Sequence, residues 1–346
     1  MADHETLQHY QALMAPGTEL REGLERIVHG RTGALIVLGN SDEVQQVSSG
    51  GFHIDVPFTG SALRELCKLD GGVIVTADLQ RIIRAGVHFV PQGDLPTVET
   101  GTRHRSADRI SRQTGVPVVT VSASMSTIAL FINGVRHPVE PPQLVLARTN
   151  QALTAMFSHR AQIISLSRAL NVLEIQDQAT VADVVRLAQR LEFNRRLEQE
   201  VLHALVVLGV EGRLLGTQLA EVSQGRDQMA TLLRRDYLDK PATVGLEALP
   251  DAELLDLVRA SEAFGFGTMH LDSRVHAHGY RQLRAVPRMS PAQAEALLEH
   301  FGSLQDVLGA TAAELATVDG ISGQQARSLR DGLMRMTEAA LSEPIS

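Results

Sequence analysis

Two clusters, Asp70-Gly71-Gly72 and Gly101-Thr102-Arg103-His104-Arg105, hold the residues of this 346-residue chain best suited to chemistry. In the first, a carboxylate stands beside two glycines at the mouth of an apolar run, Val73-Ile74-Val75. A carboxylate next to glycine backbone suits a divalent metal and a sugar hydroxyl, and glycine lets a ligand approach the main chain closely. The second cluster packs a hydroxyl, an imidazole and two guanidiniums into consecutive residues. Guanidinium forks match phosphate oxygens in pairs. The helical pattern that follows (Ala107, Ile110, Ser111) makes Thr102 a candidate N-cap. Cations are unfavourable at a helix N-terminus, so Arg103, His104 and Arg105 there call for an anion. Together the clusters read as a site where a nucleotide triphosphate reacts. Taken singly, Asp70-Gly71 is equally an ordinary turn, and the arginines equally a surface helical turn.

Bringing the two clusters together requires a sheet interleaved with helices, and residues 1–145 carry that pattern. Thr18 is placed to cap a helix running through Leu20, Leu24 and Ile27 to Gly30. Ala34–Leu38 reads as a buried strand. Val73–Val75, Val87–Val90, Val116–Val121 and Ile128–Ile132 continue the set, and Asn133-Gly134 marks a turn after the last. Helical patterns at 60–68 and 104–114 fall between strands, predicting a mixed-sheet α/β domain. Cys67, at the end of a helix-like run, reads as a buried structural thiol. His53, His88 and His137 lack metal-binding spacing and read as satisfied structural histidines.

Residues 146–283 change character. Glycine and proline vanish from 146 to 208, and apolar residues recur at helical spacing (Leu153, Met156, Phe157, Ile163, Ile164, Leu166, Leu170, Leu173), predicting helices packed on each other. Arg186, Arg190, Arg195 and Arg196 read as a solvated helix face. Residues 284–346 then repeat helix, turn and helix twice. In the second turn, Val318-Asp319-Gly320-Ile321-Ser322-Gly323, the glycines let backbone N–H groups face a DNA phosphate, with Arg327 in support. The first, Val286-Pro287-Arg288-Met289-Ser290, lacks glycine. The segment holds Arg284, Arg288, Arg327, Arg330 and Arg335 against eight acidic residues, which weighs against binding by bulk charge.

Composition narrows the class. A net charge of −8 excludes coating of nucleic acid by general basicity, so any such contact is local. A lone cysteine excludes an internal disulfide framework and a multi-cysteine zinc site. The polar start and the want of a long apolar window lead us to expect a cytoplasmic protein with no membrane partner.

The paired motifs resemble those of diadenylate cyclases, in which Asp-Gly-Ala is followed by Gly-Thr-Arg-His-Arg. The intervening Arg84–Pro91 also resembles that family's adenine-side segment. Domain order resembles that of the bacterial DNA integrity scanning proteins over nearly the whole chain. The resemblance implies a multidomain α+β fold: a mixed-sheet cyclase domain at 1–145, an all-α linker at 146–283 and a helix–hairpin–helix DNA-binding domain at 284–346. It implies condensation of two ATP into cyclic di-AMP and two pyrophosphates, with Mg²⁺ or Mn²⁺ as cofactor. Carried over, Asp70 would bind the metal and help activate the 3′-hydroxyl, and Gly71 would contact the nucleotide through its backbone. Thr102, Arg103, His104, Arg105 and Ser106 would hold the phosphates, with Asp70, Arg103, His104 and Arg105 catalytic. Phe89, where the family usually has Leu, and Ser122 would line the adenine pocket. Gly72 stands where the family usually has Ala. Gly320, Ile321, Gly323 and Arg327 would contact branched DNA such as a Holliday junction. The resemblance further implies a homo-oligomer, an octamer, associated with the nucleoid. Two other readings stay open: a DNA-binding scaffold or sensor with a regulatory nucleotide pocket, and a nucleotidyltransferase that adds AMP to an acceptor.

Overall fold

A computed structural model describes residues 2–238 and 245–342. The chain divides into two compact units, Met1–Gln151 with Val201–Thr217, and Ala152–Glu200 with Gln218–Ser346.

In the first unit, helices α1 (Ala2–Leu13), α2 (Glu19–His29), α3 (Asp42–Gln46), α4 (Gly60–Leu66) and α5 (Thr102–Thr114) surround a mixed sheet. Its strands are β1 (Ala34–Leu38), β2 (Ser48–Ser49), β3 (Phe52–Pro57), β4 (Gly72–Val75), β5 (Arg81–Phe89), β6 (Val118–Ser122), β7 (Thr127–Ile132) and β8 (Val135–Val139). Strands run in the order β2-β5-β4-β1-β6-β7-β8, with β3 also on β5. β1 and β4 pair in parallel; the neighbouring pairs are antiparallel. The alternation along β1 sets the layers. Ala34, Ile36 and Leu38, with Val73 and Val75, pack with Leu20, Leu24 and Ile27 of α2 and Leu63 of α4. Leu35, Val37, Ile74 and Val87 pack on the opposite face with Ala107 and Ile110 of α5. Helices on both faces explain why β1 and β4 are unbroken apolar runs.

Thr18 caps α2 by accepting from the Arg21 N–H. Asn133 and Gly134 take φ of 48° and 77°, the backbone of a tight hairpin between β7 and β8. Cys67 is buried at the end of α4, where burial pushes its thiol up to about 12. His53 and His88 depart from expectation. Both are exposed, because β3 is an edge strand and His88 faces away from the core. His137 is half-buried.

The glycine-free stretch forms two long helices, α6 (Pro142–Ile175) and α7 (Val181–Leu208). Then come α8 (Arg213–Ser223), α9 (Arg226–Tyr237), α10 (Asp251–Leu255), α11 (Leu257–Ser261), α12 (Tyr280–Ala285), α13 (Pro291–Phe301), α14 (Leu304–Gly309), α15 (Ala312–Leu315) and α16 (Gly323–Ser342). In the second unit, Ile163 and Leu170 of α6 pack with Val181, Val184, Val185 and Leu187 of α7. Phe157 and Ile164, expected in that core, are exposed. Arg195 and Arg196 are not a solvated face. Both pair with the buried Glu192, and Arg196 also donates to the Leu246 and Leu249 carbonyls.

A polar junction fixes the start of α12. The buried Glu174 carboxylate accepts from Tyr237 Oη (2.5 Å), Arg281 Nη1 (2.6 Å) and Gln282 Nε2 (2.6 Å). Asp236 accepts from the backbone N–H groups of Gly279, Tyr280 and Arg281. Helix α12 is thereby tied to the ends of α6 and α9.

Candidate nucleotide cleft and paired hairpins

The parallel β1–β4 pair and the start of α5 enclose a cleft of about 320 Å³, within the range of small-molecule sites. Its lining includes Asp70, Gly71, Gly72, Phe89, Thr102, Arg103 and Ser106. Leu35, Val87 and His88 complete it.

Local backbone geometry puts them there. Gly71 takes φ +102°, and a Cβ on it would stand 2.6 Å from the Val87 carbonyl oxygen, so only glycine lets β4 begin so close to β5. Behind it, Gly86 (φ +66°) makes a bulge where the β4–β5 register shifts. Bulges re-aim the residues beyond them, and here those residues are Val87, His88 and Phe89.

Asp70 is exposed, and its Oδ1 accepts the Gly71 N–H at 3.1 Å. The second carboxylate oxygen has no partner among the described residues. No group of three or more His, Cys, Asp or Glu among those residues could hold a metal by itself. Asp70 is the one carboxylate in the lining that could hold a hard divalent cation, and it would need further oxygen ligands from a bound molecule or water to do so.

The phosphate-suited end differs from expectation first at its cap. Gly101, not Thr102, is the N-cap of α5, and no side chain caps the helix. Thr102 is the first helical residue and is exposed. The uncapped amides and the positive end of the helix dipole remain available to an anion. Arg103 and Arg105 are exposed and ion-paired to no described residue. The Arg103 guanidinium lies over Gly33, where an added Cβ would stand 2.5 Å from Nη1.

His104 and Ser122 lie outside the cleft lining, as does the Arg105 side chain. The His104 ring is buried 6.0 Å from the Phe131 ring. Burial first, and then the nearby Arg136, hold its pKa below the ordinary histidine value. Arg103 and Arg105, rather than all three residues, thus carry the positive charge at neutral pH. Ser122 ends β6, where its Oγ accepts from the Met125 N–H.

The C-terminal hairpins form a matched pair. Val286, Arg288, Met289, Ser290 and Gln293 stand in the places of Val318, Gly320, Ile321, Ser322 and Gln325. Met289 N–H donates to Val286 O as Ile321 N–H donates to Val318 O, both at 3.2 Å. Ser290 and Gln293 exchange the same hydrogen bonds as Ser322 and Gln325. Arg288 adopts φ +67° where Gly320 has φ +83°, so the first turn keeps its shape without glycine. Gln293 Nε2 donates to Gly320 O at 2.9 Å, joining the two hairpins. Among the residues expected to meet DNA, Gly320, Gly323 and Arg327 are exposed, while Ile321 is buried in the hairpin core. Arg327 Nε donates to Gly323 O.

Family models match in the same order. The nucleotide-binding region of the DisA bacterial checkpoint controller matches residues 21–136, and its linker region matches 139–271. A SAM-like tandem helix-hairpin-helix model matches 280–335. A DNA integrity scanning protein DisA of Streptomyces avermitilis is 46% identical over 95% of this chain and 91% of its own. The Cutibacterium acnes DisA is 47% identical over 94% of this chain and 97% of its own. The chain belongs to the DisA family. A solved DacA from Staphylococcus aureus overlaps it with a TM-score of 0.32, at 24% identity over 42% of this chain and 93% of that one, too weakly to define a fold.

As a DisA-family member the chain combines a nucleotide-binding mixed-sheet domain, a helical linker and a helix–hairpin–helix domain. No helix of the described residues is long and apolar enough to cross a membrane. Val87 and His88 fall within the Arg84–Pro91 segment singled out in the sequence, whereas Gly33 and Leu35 were missed as residues around the DisA-type cleft. Gly33 left a signal, a glycine directly before a buried strand, and nothing in the sequence said that Arg103 would lie across it.

Proposed function

We propose that the chain is a diadenylate cyclase that condenses two ATP into cyclic di-AMP and two pyrophosphates, and that its C-terminal hairpins couple this reaction to branched DNA. The observation that carries the reading is the meeting of Asp70 with the uncapped, arginine-bearing start of α5 in one cleft. A carboxylate for metal and hydroxyl therefore faces donors for phosphate across a space of nucleotide size.

One cleft holds one ATP. Cyclisation needs the 3′-hydroxyl of each ATP to attack the α-phosphorus of the other, so two copies of the cleft must face each other. A homo-oligomer, in the proposal an octamer, supplies them. In each attack an O–P bond forms, the bond from the α-phosphorus to the pyrophosphate oxygen breaks with its electron pair going to pyrophosphate, and the hydroxyl proton passes to solvent. Thr102, Arg103 and the α5 amides hold the phosphates and stabilise the negative charge that moves onto pyrophosphate. Asp70 orients the ribose hydroxyl and would hold a Mg²⁺ or Mn²⁺. That ion, when bound, lowers the acidity barrier of the hydroxyl and neutralises phosphate charge. Gly71 leaves its backbone open to the nucleotide. The hairpins suit DNA phosphates through backbone N–H groups, a contact without sequence preference. A location in the cytoplasm, at the nucleoid, goes with that role.

Asp70→Asn is the test. It should abolish cyclic di-AMP formation while ATP binding and assembly persist. Near-normal turnover would remove Asp70 from the mechanism. A parent protein that binds ATP and DNA without turnover would favour a DNA sensor with a regulatory pocket, and an AMP-labelled acceptor would favour a nucleotidyltransferase.

A further inference from the structure

We infer that Gly72 and Phe89 act as one size-matched pair that seats the nucleobase: the ring of Phe89 lies on the bare backbone of Gly72 and offers its open side to the base. This rests on the reading of the cleft as an ATP site and adds what decides how the base is gripped.

A Cβ on Gly72 would stand 2.6 Å from Cε2 of Phe89, a separation real side chains do not show. Backbone conformation does not ask for glycine here, because Gly72, unlike Gly71, lies outside the left-handed region. Space alone asks for it. Phe89 is the last residue of β5, half-buried against the Leu35–Val87 side of the sheet, and it lines the cleft. Its ring therefore has a packed side and an open one. A flat apolar face beside a helix start suited to phosphate is what a base joined to a polyphosphate requires, since bases stack on aromatic rings. A methyl group at position 72 would drive the ring toward its open side, into the space of the base. The same methyl would also meet the Leu35 carbonyl oxygen at 2.8 Å, a competing reason for glycine that experiment can separate.

The full-length chain is titrated calorimetrically with inorganic tripolyphosphate and with ATP in its 3′-deoxy form, which lacks the attacking hydroxyl and is not consumed, both with Mg²⁺. Phe89→Ala should weaken ATP by about 5- to 150-fold, the span of base–aromatic stacking, and leave tripolyphosphate within about twofold of the parent. Gly72→Ala should weaken ATP by about fivefold or more, as overpacking of a filled contact does. The double variant Gly72→Ala/Phe89→Leu should bind ATP within about threefold of Phe89→Leu alone, as coupled neighbours do. Equal losses of ATP and tripolyphosphate in Phe89→Ala would give the ring a purely structural role and overturn the inference. A double variant no better than Gly72→Ala would assign the need for glycine to the Leu35 carbonyl, and would overturn it too. A parent that binds tripolyphosphate but not ATP would refute the ATP reading itself. ATP bound equally by parent and variants would refute only the pair.

Discussion

Replacing Arg103 with Ala separates ligand binding from folding, because among the described residues this guanidinium has no ion-pair partner to lose. It sits at the start of α5, lines the cleft, lies over Gly33 and is ion-paired to no described residue. A hydrogen bond to a charged group contributes about 1.5–3 kcal/mol, so losing one phosphate contact should weaken ATP by roughly 10- to 150-fold. An exposed, unpaired side chain changes stability by no more than about 0.5 kcal/mol, so the melting temperature should move by less than about 2 °C. Arg112, farther along the same helix, is the control. It pairs at 3.1 Å with the buried Asp108 and also donates to the Gly134 carbonyl. Arg112→Ala leaves that carboxylate buried and unpaired; allowing for the arginine's own exposure, the cost is about 2 kcal/mol, or roughly 4–8 °C. Titration calorimetry with 3′-deoxy-ATP, which cannot be condensed, and differential scanning calorimetry on both variants give the two readings. The reasoning fails if Arg103→Ala binds ATP like the parent, or if it melts as early as Arg112→Ala.

Gly71→Ala forces a side chain into φ +102° and against the Val87 carbonyl; strain and overpacking together should cost about 2–4 kcal/mol in urea unfolding, and an unchanged midpoint would contradict the close approach of β4 and β5. In the hairpins, Gly320→Ala should cost about 1 kcal/mol, whereas Arg288→Gly, which relieves a left-handed non-glycine residue, should cost nothing measurable by thermal melting. The opposite order would show that the turns are not equivalent. Burial, and then the charge of Glu174, push the Asp236 carboxyl from its ordinary 3.8 up to about 7, outweighing Arg281 and the backbone donors. A folded-state pKa above the unfolded one stabilises below about pH 4 and loses that contribution as pH rises through about 7. Urea unfolding between pH 5 and 8 should show this decline in the parent and a flatter profile in Asp236→Asn; parallel profiles would refute it.

The layered sheet was legible because burial on both faces leaves a mark in sequence: β1 and β4 are apolar throughout, and Thr18 and Asn133-Gly134 carry their own turn chemistry. Edge elements left no such mark. β3 alternates only between exposed and half-exposed residues, and β2 is two serines. Within the cleft, motif residues could be named but not arranged. Nothing in Arg-His-Arg says that its middle member turns inward toward Phe131, which is decided by the helical period once Ala107 and Ile110 face the sheet. The cap of α5 was misplaced by one residue, since Thr is the better capping type but Gly101 holds the extended backbone. Gly72 and Phe89, the two departures from the motif's usual Ala and Leu, looked independent in sequence and are neighbours in space. The glycine-free first hairpin looked degraded, yet Arg288 keeps its turn.

The central claim, that this cleft makes cyclic di-AMP, is tested most directly by incubating the purified chain with ATP and Mg²⁺ or Mn²⁺ and resolving the products by chromatography, with and without a four-way DNA junction. The account predicts one cyclic di-AMP and two pyrophosphates for every two ATP consumed, a rate that responds to the junction, and no product from Asp70→Asn. ATP bound but unconsumed under both metals, or AMP transferred to an acceptor without any cyclic dinucleotide, would contradict it.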